Sequence, residues 1–504
     1  MAASSCEERP VQSGKGRTKQ PRQTKAMKKG LLLDSVGPSL LRELDSYPSR
    51  HFCLDNCELL PPTDKFLSPP PQHPPRLSRS TSSDNGSSDS SRTLVDHSSG
   101  SDTPSDHILG KPRYPTLRER RSLPFLRRRP RSSTKAPKHD HDHDFSTRRV
   151  VEALALRYGT VSHMGMLDRS YRFFVNKSHT AALCYKILNH VAIVSGDPLC
   201  ESTRFDSVLD QFAIYRKEHS LDIAFMGASE TFAKYARQRN WNTMQFGVER
   251  VLNPCTNDVL LERSSKRVIV QNRQLLNPDK GGITLGVYVP ASGEDAAFQS
   301  ELMSIYDSWR EQRNQSSTTS QAFITVYDPF DYPNLMTFIY TRAAGGTVNG
   351  FAALRRIGTH NGYHIDPCIA APGAPKGMSD LLTYAAMALL HHSNVSYLSL
   401  GYEPLTELGE VTGMSPTLER LTRSLYHHTY QRLPIHGKKA YHDKLRPDPC
   451  QESGLYVIFP AGMPGVRQMV AMAHMANISI RKLVRTKVEN SPGSGRQKEA
   501  KDEK

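Results

Sequence analysis

Few places in this chain bring together residues that could do chemistry, and the first is a carboxylate. Asp366 directly precedes Pro367 at the end of the β-rich run Tyr363–Asp366. A carboxylate at a strand end can accept a proton or hold an ammonium group; taken alone, an Asp before Pro also reads as a turn or helix-capping residue. The second place is the segment KLRP, with Lys444 and Arg446. Together with Lys438 and Lys439 they make a local basic cluster suited to phosphates, and Lys444 is placed to stabilise an oxyanion. A solvated basic loop has the same composition. His442, between them, has the ordinary pKa of a base near neutrality and reads first as a surface histidine. The third place is the run Arg263-Ser264-Ser265-Lys266-Arg267, with Arg273 beyond it, inside the helical stretch Leu260–Leu276; a nucleic-acid backbone and plain solvent suit it equally. The loop Ala371–Gly377 precedes another helix, a position where glycine-rich loops aim backbone amides at a pyrophosphate. Here Pro372 and Pro375 lack N–H donors, and only Gly373 and Gly377 are glycines. The loop is a poor pyrophosphate cradle, which argues against a CoA donor, although Lys376 can still meet a phosphate.

Other chemistries find no support. Cys6, Cys53, Cys57, Cys184, Cys200, Cys255, Cys368 and Cys450 form no paired CxxC spacing, and no signal peptide precedes them, so reduced thiols in the cytoplasm and no metal site are expected. The HD repeat His139–Asp144 reads as a solvated tract. No serine-elbow or catalytic-cysteine signature is present. No run of about 20 apolar residues exists, so any membrane contact is expected to be peripheral, at internal membranes.

The elements that must position these residues begin late. Residues 1–144 join proline clusters to the serine-rich stretch Ser78–Ser101 and show no sustained apolar period, which predicts a disordered tail. Residues 1–150 carry 27 Lys+Arg against 17 Asp+Glu and the remainder 39 against 33, so the net charge of +16 belongs mostly to the tail. Its block Lys111–Arg131 holds nine Lys/Arg and one Glu, suited to tRNA or an anionic lipid surface, or to solvent. Residues 488–504 read as a charged disordered tail.

Between these tails the pattern is compact α/β (α+β). Strand-like runs Tyr171–Val175, Ala182–Leu188 and His190–Val194 precede helical Phe205–Glu218 and strand-like Leu221–Met226. Phe323–Tyr327, Leu335–Tyr340, Gly350–Arg355 and Tyr363–Asp366 then read as a meander, followed by a helix over Gly377–His391 and a strand over Val395–Leu400. Both halves run antiparallel strands, Asp-Pro loop, helix, apolar strand: Asp197-Pro198 in the first, Asp366-Pro367 in the second. This order predicts two tandem acetyltransferase-like (GNAT-like) lobes, over 145–312 and 313–487, with a cleft between them.

The stretches VAIVSGDPLC, APGAPKGMSDLLTYAAMALL, YLSLGYEPL and KKAYHDKLRP followed by GLYVIFP occur in order across Ser146–Lys487. They resemble the C-terminal domain of phosphatidylglycerol lysyltransferases. The resemblance implies a tandem acetyltransferase fold that moves an amino acid from aminoacyl-tRNA to a lipid hydroxyl. A free-standing chain with a Ser/Pro-rich tail looks closest to the fungal ergosteryl-glycine synthases, which implies glycyl-tRNA as donor, ergosterol as acceptor and no further cofactor. Phosphatidylglycerol as acceptor and CoA-dependent N-acetylation are the alternatives. The family has an Asp at the position of Asp366, which makes it the first choice for catalysis, with Lys444 and Arg446 in the matching K-F-x-P segment. Arg263, Lys266, Arg267, Arg273, Lys376, Lys438 and Lys439 are the residues implied to meet tRNA. Where the bacterial pattern has an Arg three residues after the Asp, this chain has Ile369, which fits an uncharged acceptor.

Overall fold

The computed structural model describes residues 30–47, 141–316, 327–431, 436–460 and 465–475. The Ser/Pro-rich stretch, the Lys111–Arg131 block, the C-terminal tail and nearly all of the expected strand Phe323–Tyr327 lie outside these residues.

Helix α1 spans Leu33–Asp45 and α2 spans His141–Tyr158. Strands β1 (Arg172–Val175), β2 (Ala182–Leu188) and β3 (Val191–Ser195) follow as an antiparallel meander. Asn189 and His190 both take positive φ between β2 and β3, the turn geometry that matches strand twist in a two-residue hairpin. Helix α3 (Phe205–Glu218) buries Phe205, Val208 and Phe212 against the sheet, and β4 (Asp222–Ala228) returns parallel to β3. Helix α4 (Glu230–Gln238) is capped by Ser229, whose hydroxyl accepts from the Phe232 amide. Strand β5 (Asn242–Leu252) and helix α5 (Lys266–Leu276) follow; the helix starts later than the sequence suggests, because Ser265 takes a left-handed conformation before its first turn.

Strand β6 (Thr284–Tyr288) and helix α6 (Ala296–Ser316) lead to an antiparallel series of β7 (Met336–Arg342), β8 (Val348–Ile357) and β9 (Gly362–Ala370). Helix α7 (Met378–His392) then crosses to β10 (Leu398–Pro404), parallel to β9. Strand β11 (Val411–Thr412), α8 (Pro416–Tyr430), α9 (His436–Lys444), β12 (Ser453–Phe459) and α10 (Val466–Met475) complete the described chain.

The path β3–α3–β4 is repeated by β9–α7–β10, each a parallel pair joined by a helix after an Asp-Pro step. The two acetyltransferase-like lobes are therefore present, but they are not consecutive pieces of chain. The strands form one mixed sheet in the order β1-β2-β3-β4-β12-β5-β10-β9-β8-β7-β6, with β11 on β5. Strand β12, expected in the second lobe, inserts antiparallel between β4 and β5 of the first. Strand β6, expected in the first, pairs with β7 of the second. A boundary at 312/313 falls inside α6. Local pattern cannot reveal this exchange, because an apolar strand carries no mark of which neighbour it will join.

The tail expected over 1–144 contains one packed helix. Leu33, Val36, Gly37, Leu40 and Leu44 of α1 are buried and join the cluster built around α7, a spacing of three and four that a helical stripe requires. Gly37 marks the crossing: a methyl group added there would come 2.9 Å from the Ala388 carbonyl and meet the His392 ring. The surrounding Ser/Pro composition masks this 13-residue signal. Tyr47 seals the end by donating to the Val287 carbonyl at 2.8 Å. Leu40 is 1% exposed, so Leu40→Ala is expected to cost about 3 kcal/mol, read as a lowered urea midpoint; an α1 that merely rests on the surface would leave the midpoint unmoved.

Candidate functional site

The site grows out of an irregularity in β9. Between the pairs Leu354↔Ile365 and Ala352↔Cys368, β9 uses one more residue than β8, a bulge at the cis-linked Asp366-Pro367. Proline has no N–H to give to the ladder, so a bulge is where an interior strand tolerates it, and a bulge re-aims the neighbouring side chain. On the other side, β9 and β10 pair only through Leu398↔Tyr363 and Ser399↔His364. Beyond these pairs the two parallel strands part, with Gly401 of β10 at φ +88°. Asp366 follows the last paired residue of β9 by two, at the mouth of this opening. Open α/β sheets hold ligands at such carboxyl ends of parallel strands.

The corresponding place in the first lobe is closed. There β3 and β4 stay paired to Ser195↔Met226, and the Gly196 amide still donates to the Met226 carbonyl at 2.9 Å. The Ser195 hydroxyl donates to the Ser162 carbonyl, and His163 Nε2 lies 3.0 Å from the Asp197 carbonyl. The Asp197 carboxylate is spent on Ser229, accepting from its amide at 2.8 Å and from its hydroxyl at 2.5 Å. Of the two Asp-Pro steps that precede a crossover helix, only the second leaves its acid where the parallel strands part.

Burial pushes the Asp366 carboxyl up to about 6, while the charges of Lys438 and Arg355 pull it back. A carboxyl poised there is mostly ionised at neutral pH yet able to take a proton during a reaction. Asp366 keeps some solvent access although protein surrounds it on most sides. The same holds for Lys438, on the first turns of α9: it is exposed by area, yet burial within the cleft walls pushes its ammonium down while Asp366 and Glu403 push it up. A methyl group on Gly401 would stand 3.1 Å from His364 Nε2 and 3.8 Å from Lys438 Nζ, which puts the ammonium and the imidazole at the parting of the strands.

Arg355 lies beneath. It is 1% exposed and donates from Nη2 to the Thr160 and Val161 carbonyls at 3.0 Å each, while its Nε and Nη1 are buried with no partner. Burial lowers its pKa to about 10, opposed by Tyr327, Tyr402, Glu249 and Asp366. His364, opposite Arg355 in the β8–β9 register, is held well below the ordinary imidazole range by burial, then by Arg355 and Lys438. It is therefore neutral near pH 7 and can donate or accept one hydrogen bond. Sequence reading missed Arg355 and His364; the available signal was a charged residue inside the otherwise apolar strand GFAALRRI.

Helix α9 sorts the expected basic cluster into three roles. Lys438 faces Asp366. Lys439 donates to Glu403 at 3.0 Å, and His442 Nδ1 lies 3.1 Å from the same carboxylate. His442 is 2% exposed and lowered to about 4, first by burial, so it is neither a surface histidine nor a base near neutrality. Lys444 binds Asp380 of α7 at 2.5 Å with its ammonium 4.6 Å from the Tyr441 ring centroid. Arg446 is exposed, and its carbonyl accepts from Asn257. The structure thus brings Asp366 together with Lys438, and places Lys444 and Arg446 on the flank towards α5.

That flank gathers part of the expected tRNA set. The Ser265 hydroxyl donates to the Lys444 carbonyl at 2.8 Å, and Gln271 donates to the Lys376 carbonyl at 2.6 Å. These bonds put the exposed Lys266 and Arg267 beside the exposed Lys376 and Arg446. Arg263 is exposed nearby. Arg273 is not part of this surface: it grips both oxygens of Glu262 at 2.7 and 2.8 Å and donates to the Gly30 carbonyl at 3.0 Å, tying α1 to α5. Ile369 is 3% exposed and sits opposite Phe351 in the ladder, so this position belongs to the core and not to the cleft wall.

A family model described as phosphatidylglycerol lysyltransferase, C-terminal, matches residues 152–456. An MprF-like domain protein of Mycobacterium tuberculosis is 26% identical over 256 residues, 49% of this chain and 51% of that protein. The phosphatidylglycerol lysyltransferase of Bacillus subtilis is 20% identical over 288 residues, covering 57% of this chain and 32% of its own. A lysylphosphatidylglycerol biosynthesis bifunctional protein of Rhodococcus jostii is 24% identical over 285 residues, 55% of this chain and 24% of that protein. The chain thus spans between about a quarter and half the length of these relatives. The solved structure of L-PGS from Bacillus licheniformis matches with a TM-score of 0.51 at 18% identity, over 67% of this chain and 96% of that one, a likeness of fold. With the family model covering more than half of its length, the chain belongs to the phosphatidylglycerol lysyltransferase C-terminal family.

Proposed function

We propose that this chain is an aminoacyl-tRNA-dependent aminoacyltransferase that esterifies the hydroxyl of a membrane lipid. The observation that carries the reading is Asp366, an acid raised to about 6 at the opening between parallel strands, with Lys438 facing it. The aminoacyl ester on tRNA is already activated, so the reaction needs positioning, proton transfer and oxyanion stabilisation. The lipid hydroxyl attacks the ester carbonyl carbon as Asp366 takes its proton. The tetrahedral oxyanion lies against Lys438. The C–O bond to the tRNA ribose then breaks, and the proton passes to the leaving oxygen. Lys266, Arg267, Lys376 and Arg446 form the flank that meets the phosphates of the tRNA acceptor end, with Arg263 at its margin.

The acceptor has two candidates. The names of the relatives point to phosphatidylglycerol and lysine; the resemblance to the ergosteryl-glycine synthases points to ergosterol and glycine, on a protein peripheral to internal membranes. One label-transfer assay separates them: the purified chain is mixed with labelled glycyl-, lysyl-, alanyl- or aspartyl-tRNA and vesicles containing ergosterol, phosphatidylglycerol or neither. Organic-phase label that requires one lipid and is abolished by prior RNase names the acceptor, and the active donor names the amino acid. No transfer from any charged tRNA, with acetyl-CoA binding instead, would overturn the proposal.

A further inference from the structure

Helix α8 is built inside out. The side chains that hold it to the protein are polar or aromatic: Arg423 donates to the Leu408 and Gly409 carbonyls, Glu419 pairs with Arg423 at 2.8 Å, and Tyr426 Oη lies 2.8 Å from both the Phe246 and Leu405 carbonyls. Tyr430 is its buried residue. Glu419, Arg423, Tyr426 and Tyr430 fall on one stripe at 3.6 residues per turn. Leu421 and Leu425 fall on the opposite side and are 65% and 52% exposed. An amphipathic helix ordinarily turns its leucines inward; here two of the six exposed large apolar side chains among the described residues stand one turn apart on the outer face. A contiguous exposed apolar ridge of this kind marks an interaction surface.

The charge around the ridge identifies the partner class. Arg420 is exposed on the same helix, and Glu419, the helix's one acid, is paired with Arg423, so the solvent side of α8 offers an arginine and no free acid. Exposed leucines on a helix with an arginine and no free acid match the boundary between acyl chains and anionic headgroups. No described helix is long and apolar enough to cross a membrane. Helix α8 ends at Tyr430, eight residues before Lys438. We propose that α8 docks this chain on an anionic bilayer, its leucine ridge in the acyl boundary, and so brings the cleft to its lipid acceptor. The use of docking rests on the proposed function; the docking itself does not.

The test uses the full chain carrying Leu425→Trp, with phosphatidylcholine vesicles containing or lacking an anionic lipid. The expected result is a blue shift of the added tryptophan's emission, quenched by bromine-labelled acyl chains and dependent on the anionic lipid. The double change Leu421→Glu with Leu425→Glu is expected to weaken vesicle partition at least tenfold, while Ile214→Glu, at an exposed apolar residue of α3, leaves it unchanged. Transfer to an acceptor dispersed in detergent should stay within twofold of the parent. A chain that co-sediments with vesicles while the tryptophan at 425 reports no change would overturn the proposal, assigning binding to another region. So would a parent dimer that the double change makes monomeric with vesicle binding intact, since the ridge would then join two copies. Insertion without transfer to any lipid would support docking and overturn the proposed function.

Discussion

Asp366→Asn is expected to lower kcat/KM for aminoacyl transfer by roughly 10²–10⁴-fold, the range lost with a general base, and to make the fold more stable at neutral pH. The two effects share one cause. Burial raises the folded-state pKa of Asp366 to about 6 from an ordinary 3.8, so folding favours its neutral form. Below pH 3.8 the acid is protonated in both states and costs nothing. Between 3.8 and 6 the unfolded chain ionises first, and stability falls as pH rises; above 6 the penalty is complete. A shift of about two units corresponds to about 3 kcal/mol, less what solvent reaching the part-exposed side chain screens. The amide removes the penalty, so the Tm of the variant should exceed the parent's by about 2–4 °C at pH 7.5, a gap that closes as pH falls towards 4. In the parent, kcat/KM should rise with pH through about 6. An inactive variant whose Tm is unchanged or lowered would place Asp366 among structural caps such as Asp197.

How much of this was legible in the sequence divides by the range of the interaction. The local elements follow from patterns that local chemistry writes: the β2–β3 hairpin, α3 with its Phe205, Val208 and Phe212 stripe, and the paired Asp-Pro crossovers. The family pattern pointed to Asp366, but its difference from Asp197 at the matching Asp-Pro step lies in whether two parallel strands part, which depends on β10 turning away at Gly401. Lys438, Lys439, His442 and Lys444 looked like one basic loop because sequence spacing does not reveal which way a helix turns. On α9 they point to Asp366, to Glu403 and to Asp380, three partners 36 to 72 residues away. The same holds for β12, whose apolar run gives no hint that it completes the first lobe, and for Arg273, whose partner Glu262 was read only as part of a basic helix.

Lys438→Met is expected to lower kcat by about 10²–10³-fold, the loss that follows removal of one oxyanion donor, and also to move the acid limb of the rate profile upward. The second effect separates electrostatics at the reacting centre from a merely lost contact. After burial, the charge of Lys438 is the first influence on Asp366, acting ahead of Arg355, and it favours the ionised carboxylate. Without it the carboxyl titrates above 6, and more alkaline solution is needed to ionise the base. Lys438→Arg keeps the charge, so its acid limb should stay near the parent's. Its rate should nevertheless remain low, because a planar guanidinium offers its donors in a fixed fork where the ammonium is a compact point charge. A methionine variant with reduced kcat but an unmoved acid limb would detach Lys438 from Asp366 and return it to the flank proposed to meet tRNA, where loss of one phosphate contact would raise KM and flatten its salt dependence.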